Sequence, residues 1–213
     1  MPTQTKRPKL ATEMRQAGLV DAALQLAAQR SPADITTNDL AQAVGITQGA
    51  VFRHFASKEA IWLAVLDWTS DMLLARLQTA SAIAKAGTTT QADPLLSLQS
   101  VFMAHVDFVI EYPGVPRIIF QELQHAQDSL LKASVRVLMQ RYRLLVIGLL
   151  QDAKERGLLT KDIDIASAAV LFMGSVQGLV MQSMLTGQVQ AMAAQASGVF
   201  AIYLRGISKK ESP

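Results

Sequence analysis

The chain has 213 residues, half of them apolar and few aromatic, with a formal net charge of +3 and a pI near 9.3. That length suits one small and one medium domain, and so mild a charge excess does not by itself argue for nucleic acid. With no cysteine, disulfides and thiolate metal sites are excluded, and a reducing cytoplasm is permitted.

Residues 1–11 carry Lys6, Arg7 and Lys9 beside Pro2 and Pro8, and lack the apolar core of a signal peptide. A disordered basic arm is expected there, able to lie along phosphates. The spacing then predicts a helix from Thr12 to Gln29, with Met14, Leu19, Ala22, Ala23 and Leu26 facing inward. Ser31 and Pro32 end it.

Residues Ile35 to Glu59 read ITTNDLAQAVGITQGAVFRHFASKE. Thr36 is placed to cap one short helix, with Asp39 three residues on as the capping-box acid. Gly45 stands where that helix must stop, since it enters the left-handed region without a Cβ penalty. Thr47 then caps a second helix expected over Gln48 to Phe55. Leu40, Val44, Ile46 and Val51 supply apolar contacts between the two. This is the pattern of a helix-turn-helix, whose second helix enters the DNA major groove.

Ser57 caps a fourth helix, expected to run through Trp68 to about Lys85. Residues 86–93 read as a surface loop, and Asp93-Pro94 opens a helix to about Glu111. There Leu98, Phe102, His105, Val106 and Val109 share one stripe. Residues 112–116, YPGVP, break the pattern. A short helix over 117–125 and a long one over 128–156 follow, the latter stopped by Gly157. Asp164 and Arg205 bracket a run, Ile165 to Leu204, without one charged residue. A membrane hairpin is weighed against a buried subunit interface. Gln177, Gln182, Gln188, Gln190 and Gln195 would be costly in lipid, so the interface is expected. Gly174 and Gly178 would let two helices approach closely, and Met181 and Phe200 are assigned to the same surface. The fold expected is all-α, with a three-helix DNA-binding head over 12–56 and a helical bundle over 57–213 that holds the expected subunit interface.

The segment Gly49 to Glu59, GAVFRHFASKE, resembles the TetR family of bacterial regulators, and the match extends over roughly residues 12–68. In that family the recognition helix ends in Tyr-x-His-Phe, followed by Ser-Lys-Glu at the next helix start. Phe52 here replaces the tyrosine and removes a hydroxyl that commonly reaches a phosphate. The resemblance implies a cytoplasmic, homodimeric repressor that binds an inverted-repeat operator and is released by a small apolar or amphipathic effector. It further implies that the last two helices pair into a four-helix interface, and that Thr37 and Lys58 contact phosphates. An alternative within the family is a ligand-independent DNA-binding adaptor that recruits a protein partner, as nucleoid-occlusion factors do. Ile35 to Leu40 and Pro113-Gly114 resemble that branch.

At the start of the recognition helix, Thr47 and Gln48 stand where side chains meet base edges, and Gln48 suits adenine. Gly49 and Ala50 permit close approach, although Ala50 suits helix packing equally. Arg53 and His54 are placed to reach phosphate or base. For the effector, Phe102, Phe108, Met139, Phe172 and Met173 are candidate cavity residues, with plain core as the competing reading. His105 and Arg141 fall among apolar residues, so each is either a ligand contact or a satisfied polar residue of the core or an interface. The three histidines lack metal-ligand spacing, and no phosphate loop or nucleophile elbow is present. Neither catalysis nor a cofactor is expected.

Overall fold

Local signals in the sequence start and stop most of the helices. The computed structural model describes residues 6–86 and 93–209, and among these the order is α1 (Lys6–Gln29), a 3-10 turn (Pro32–Asp34), α2 (Thr37–Ala43), α3 (Gln48–Val51) and α4 (Lys58–Ala86). Then come α5 (Pro94–Glu111), α6 (Gly114–Gln124), α7 (Leu130–Glu155), α8 (Ile165–Thr186) and α9 (Ala191–Ile207).

Helix α1 corrects the expected arm, since it begins at Lys6 rather than Thr12. Pro8 does not prevent this, because in the first turn its missing N–H has no helical partner to lose. Residues 1–5 lie outside the described residues. The buried face of α1 is Leu19, Ala23 and Ala27, whereas Met14, expected inward, is 71% exposed. Nine residues separate Met14 from Ala23, a rotation of about 180° at 3.6 residues per turn. The inward stripe cannot include both.

The chain forms two compact units, and their limits differ from the boundary expected after Ala56. One holds the residues up to Ser70 together with Tyr112–Arg136; the other holds Asp71–Glu111 and everything from Val137. The reason lies in α6, which packs on α1 and on the 3-10 turn. A Cβ on Gly114 would meet the carbonyl oxygen of Leu24, and would stand 2.9 Å from the Ala28 nitrogen. Only glycine lets the two backbones come that close. Trp68 and Tyr112 meet edge to face in the same unit, with ring centroids 4.9 Å apart.

The second unit is built on α5, α8 and α9 around a set of aromatic rings. Phe102 meets Phe172 edge to face at 5.5 Å and lies 5.3 Å from Phe200. Such pairs add about 0.5–1.5 kcal/mol each beyond the area they bury. Tyr203 completes the cluster, and its hydroxyl donates to the Ala168 carbonyl at 3.1 Å. Phe200 is only 1% exposed, so its expected place in a subunit interface is corrected. With Ala196, Tyr203 and Ile207 it forms the inward face of α9, and the charge-free run hid that face among others. Asp164 caps α8 by accepting from the Ala166 and Ser167 amides, and Gly187 ends it at φ 70°. By length and composition α8 could cross a membrane. One side of it, Ala168, Ala169, Phe172, Val176, Leu179 and Val180, is instead buried within the unit.

Candidate nucleic-acid interface

Helix α2 begins on a complete capping box. The Thr36 hydroxyl accepts from the Asp39 amide at 3.1 Å, and Asp39 Oδ2 accepts from the Thr36 amide at 2.7 Å. The Thr36 hydroxyl also donates to that oxygen at 2.7 Å, and Arg30 pairs with it at 3.0 Å. These donors, the Thr36 backbone amide foremost, pull the Asp39 carboxyl down to about 2. Leu40 and Ala41 are buried on the inner side of the helix. Gly45, at φ 67°, ends α2, and the Ile46 amide reaches back to the Ala41 carbonyl at 2.9 Å. The turn is thus fixed by main-chain bonds that a Cβ would strain.

Helix α3 is shorter than the expected Gln48–Phe55, since it ends at Val51. Beyond it the chain tightens into turns, with the His54 amide on the Val51 carbonyl at 2.9 Å. The Thr47 hydroxyl caps α3 by accepting from the Ala50 amide at 3.3 Å. Thr47, Gln48, Gly49, Phe52 and Arg53 are exposed, while Ala50 and Val51 are buried. Ala50 is therefore a packing residue, the second of the two readings open to it, and not one placed to touch a base. The Gln48 Nε2 donates to the Thr37 hydroxyl at 2.8 Å, joining the first residue of α3 to the first of α2.

His54 departs from its expected reach toward DNA on one edge. Its Nδ1 is buried without a hydrogen-bond partner among the described residues, and its carbonyl accepts from Gln16 Nε2 at 2.8 Å. Gln16 thereby ties α1 to the end of the recognition segment, a role that no local sequence signal announces. Lys58, half-buried at the start of α4, donates to the Ala33 carbonyl at 3.4 Å. Together these residues present a short, rigid ridge with an amide, a glycine and a guanidinium outward. Such a ridge can offer hydrogen bonds to base edges and charge to phosphates.

The effector candidates fall in the second unit, and several are filled core. Phe102, Phe108 and Phe172 are 0% exposed, so they line no solvent-accessible cavity in this conformation. Met139 and Met173 are half-buried. His105 Nδ1 lies 3.1 Å from the Tyr142 hydroxyl, and the apolar surroundings push the imidazole down to about 4 although part of the residue stays exposed. Arg141, expected among buried residues, has a 52% exposed side chain 4.0 Å from Asp71, so that expectation is corrected. Its stripe runs along the outer edge of α7, where Val137 and Leu144 are exposed as well. Sequence reasoning missed an apolar groove of about 420 Å³ lined by Met72, Ala75, Arg76, Thr79, Ile83 and Ala104 among others. Arg76 pairs there with Glu111 at 2.7 Å and covers the Phe108 ring at 5.5 Å.

Comparison with known proteins decides the family. Residues 19–65 match the family model described as bacterial regulatory proteins, tetR family, and residues 120–199 match that of the tetracyclin repressor-like C-terminal domain. The chain belongs to the TetR family. As a TetR-family protein it is a DNA-binding transcriptional regulator with a helix-turn-helix. The nucleoid occlusion factor SlmA of Glaesserella parasuis is 28% identical over 152 residues, 71% of this chain and 72% of SlmA. Among solved structures, the ketosteroid transcriptional regulator KstR2 of Mycobacterium tuberculosis is 24% identical with a TM-score of 0.74, covering 92% of this chain and 96% of that one. The transcriptional regulator FadR of Bacillus subtilis, in complex with stearoyl-CoA, is 18% identical with a TM-score of 0.74, covering 90% and 98%. Those two share the TetR-family fold with it.

Within this TetR-family chain the outer sides of α8 and α9 are apolar and exposed. Val170, Leu171, Met181 and Leu185 on α8 and Ile202 on α9 are all more than two-fifths exposed. Gly174 and Gly178 lie between them on α8, and a Cβ at either would meet nothing within 4 Å. The α8 side of this face carries no charge, and α9 adds Arg205 in its last turn.

Proposed function

We propose that this TetR-family regulator is a repressor that binds an inverted-repeat operator as a homodimer and is released by a small apolar or amphipathic effector. The observation that carries it is the exposure of Gln48 and Gly49 on α3 and of Arg53 in the turn after it, with Thr36 capping α2 and Thr47 capping α3. Gln48 reads a base, worth about 1–3 kcal/mol of discrimination, while Thr37, Arg53 and Lys58 supply backbone contacts that set register. One such helix meets too few base pairs for useful specificity. A two-fold pair doubles the site, and the apolar outer face of α8 and α9 supports such a pairing. Helix α4 begins in the unit that carries α3 and ends in the other. An effector bound to the second unit can therefore act through α4, provided that it binds the released state more tightly than the DNA-bound one.

The SlmA relatives favour a second reading, a DNA-binding adaptor of the nucleoid-occlusion type that needs no effector. Genome-wide mapping of bound sites separates the two. A few promoter sites carrying an inverted repeat support the repressor, and many scattered sites away from promoters refute it.

A further inference from the structure

We propose that Thr37 is a specificity-determining positioning residue, whose hydroxyl holds the Gln48 carboxamide for base reading. The inference rests on the DNA-reading role proposed above for Gln48 and goes beyond a phosphate contact for Thr37. Gln48 is exposed at the first position of α3, and a glutamine there has three rotatable side-chain bonds. Left free, such a chain would sample many orientations before meeting DNA. Here its Nε2 donates to Thr37 Oγ1 at 2.8 Å, which restrains the position and the plane of the amide.

The chemistry that remains fits one base. A carboxamide has two N–H donors and one acceptor oxygen. With one N–H given to Thr37, the other N–H and Oε1 are left side by side. Those are the groups that adenine takes, through N7 and the N6 amine. The same bond orients the amide, setting its nitrogen toward α2, so a donor and an acceptor are presented in fixed order.

Thr37 is in turn held. It follows Thr36 directly, and the Thr36 amide and hydroxyl both bond Asp39 Oδ2 at 2.7 Å, with Arg30 on the same oxygen at 3.0 Å. Its β-branched side chain has few χ1 choices in a helix. A line of contacts thus runs from Arg30 through Asp39 and the start of α2 to the amide of Gln48. The Thr37 hydroxyl accepts in this bond, so its own proton remains able to reach a phosphate.

The test uses the full chain and duplexes enriched by it from a randomised pool, at one fixed salt concentration because affinity depends on salt. Wild type, Thr37→Val, Thr37→Ser, Gln48→Ala and the Thr37→Val/Gln48→Ala double variant are titrated against the enriched duplex and its single-base-pair changes. Thr37→Val should lose about tenfold in discrimination, within the range of one bidentate base contact. The loss should fall at the same base pair that Gln48→Ala affects, with no further loss in the double variant and with recovery in Thr37→Ser. Equal losses on all duplexes, leaving discrimination unchanged, would make Thr37 a phosphate contact only and overturn the proposal. Losses at different base pairs that add in the double variant would overturn it too. If wild type enriches no sequence, the base-reading role of Gln48 fails along with that of Thr37. Enrichment by wild type with unchanged discrimination in Thr37→Val removes only the latter.

Discussion

At the scale of single residues, the head is held by polar groups, some bonded to near neighbours, as Thr36 is to Asp39, and others across the chain, as Gln16 is to the His54 carbonyl. Asp39 shows the consequence most clearly. Its carboxyl is lowered from an ordinary value of 3.8 to about 2 because the folded chain surrounds its anion with donors. A depressed carboxyl contributes stability above its unfolded value, and that contribution is lost as pH falls from about 4 toward 2. Asp39→Asn should therefore melt below wild type at neutral pH, with the gap closing across that acid window. A gap that stays constant down to pH 2 would mean that the charge of Asp39 does not stabilise α2. Phe52 gives a second prediction. It is 47% exposed beside Gln48 and Arg53, the proposed DNA contacts, and the family's tyrosine would add one hydroxyl at its ring edge. Phe52→Tyr should strengthen binding to an enriched duplex by about 1–3 kcal/mol at most, the range for a hydrogen bond to a charged group. Titration of the two proteins on one duplex checks it, and equal affinities would place the ring away from phosphate.

Elements divide by how local their signals are. The capping box of α2, the stop at Gly45 and the Thr47 cap were legible because each is a bond between neighbours in sequence. The lengths of α1 and α3 were not, since Lys6 and Phe52 carry no sharp start or stop signal. Nor was the allegiance of α6, because what assigns it to the head is contact with α1, some ninety residues earlier. Gly114 is the mark of that contact. Gly114→Ala would drive a methyl into the α1 backbone at Leu24 and Ala28, where no side-chain rotation relieves the overlap. A cost of about 1–3 kcal/mol is expected for such overpacking, read as a lower melting temperature. An unchanged melt would show that α6 and α1 part easily. The aromatic candidates were illegible for another reason. Phenylalanine at helical spacing reads the same whether it lines a cavity or fills one, and Phe102 and Phe172 fill theirs with each other. Phe200 was misplaced because α9 carries a single charge, Arg205 in its last turn, too little to mark an outer face from which to tell its inner side.

For the whole molecule, the proposed regulation of DNA depends on two copies acting together. Gly178 separates subunit stability from assembly, because nothing in its own unit stands within 4 Å of a Cβ placed there. Gly178→Leu should keep its helix content by circular dichroism yet dissociate more readily in sedimentation. Overpacking against a partner of about 1–3 kcal/mol corresponds to roughly fivefold to 150-fold in the dimer constant. A variant as tightly associated as wild type would put the pairing surface elsewhere. The central claim, that a rigid α3 reads sequence as one of a pair, is tested most directly by selecting duplexes from a randomised pool with the full chain. The account predicts a shared inverted repeat, whose half-sites alone bind far more weakly than the pair. A pool without a shared sequence, or a single half-site bound as tightly as the repeat, would contradict it.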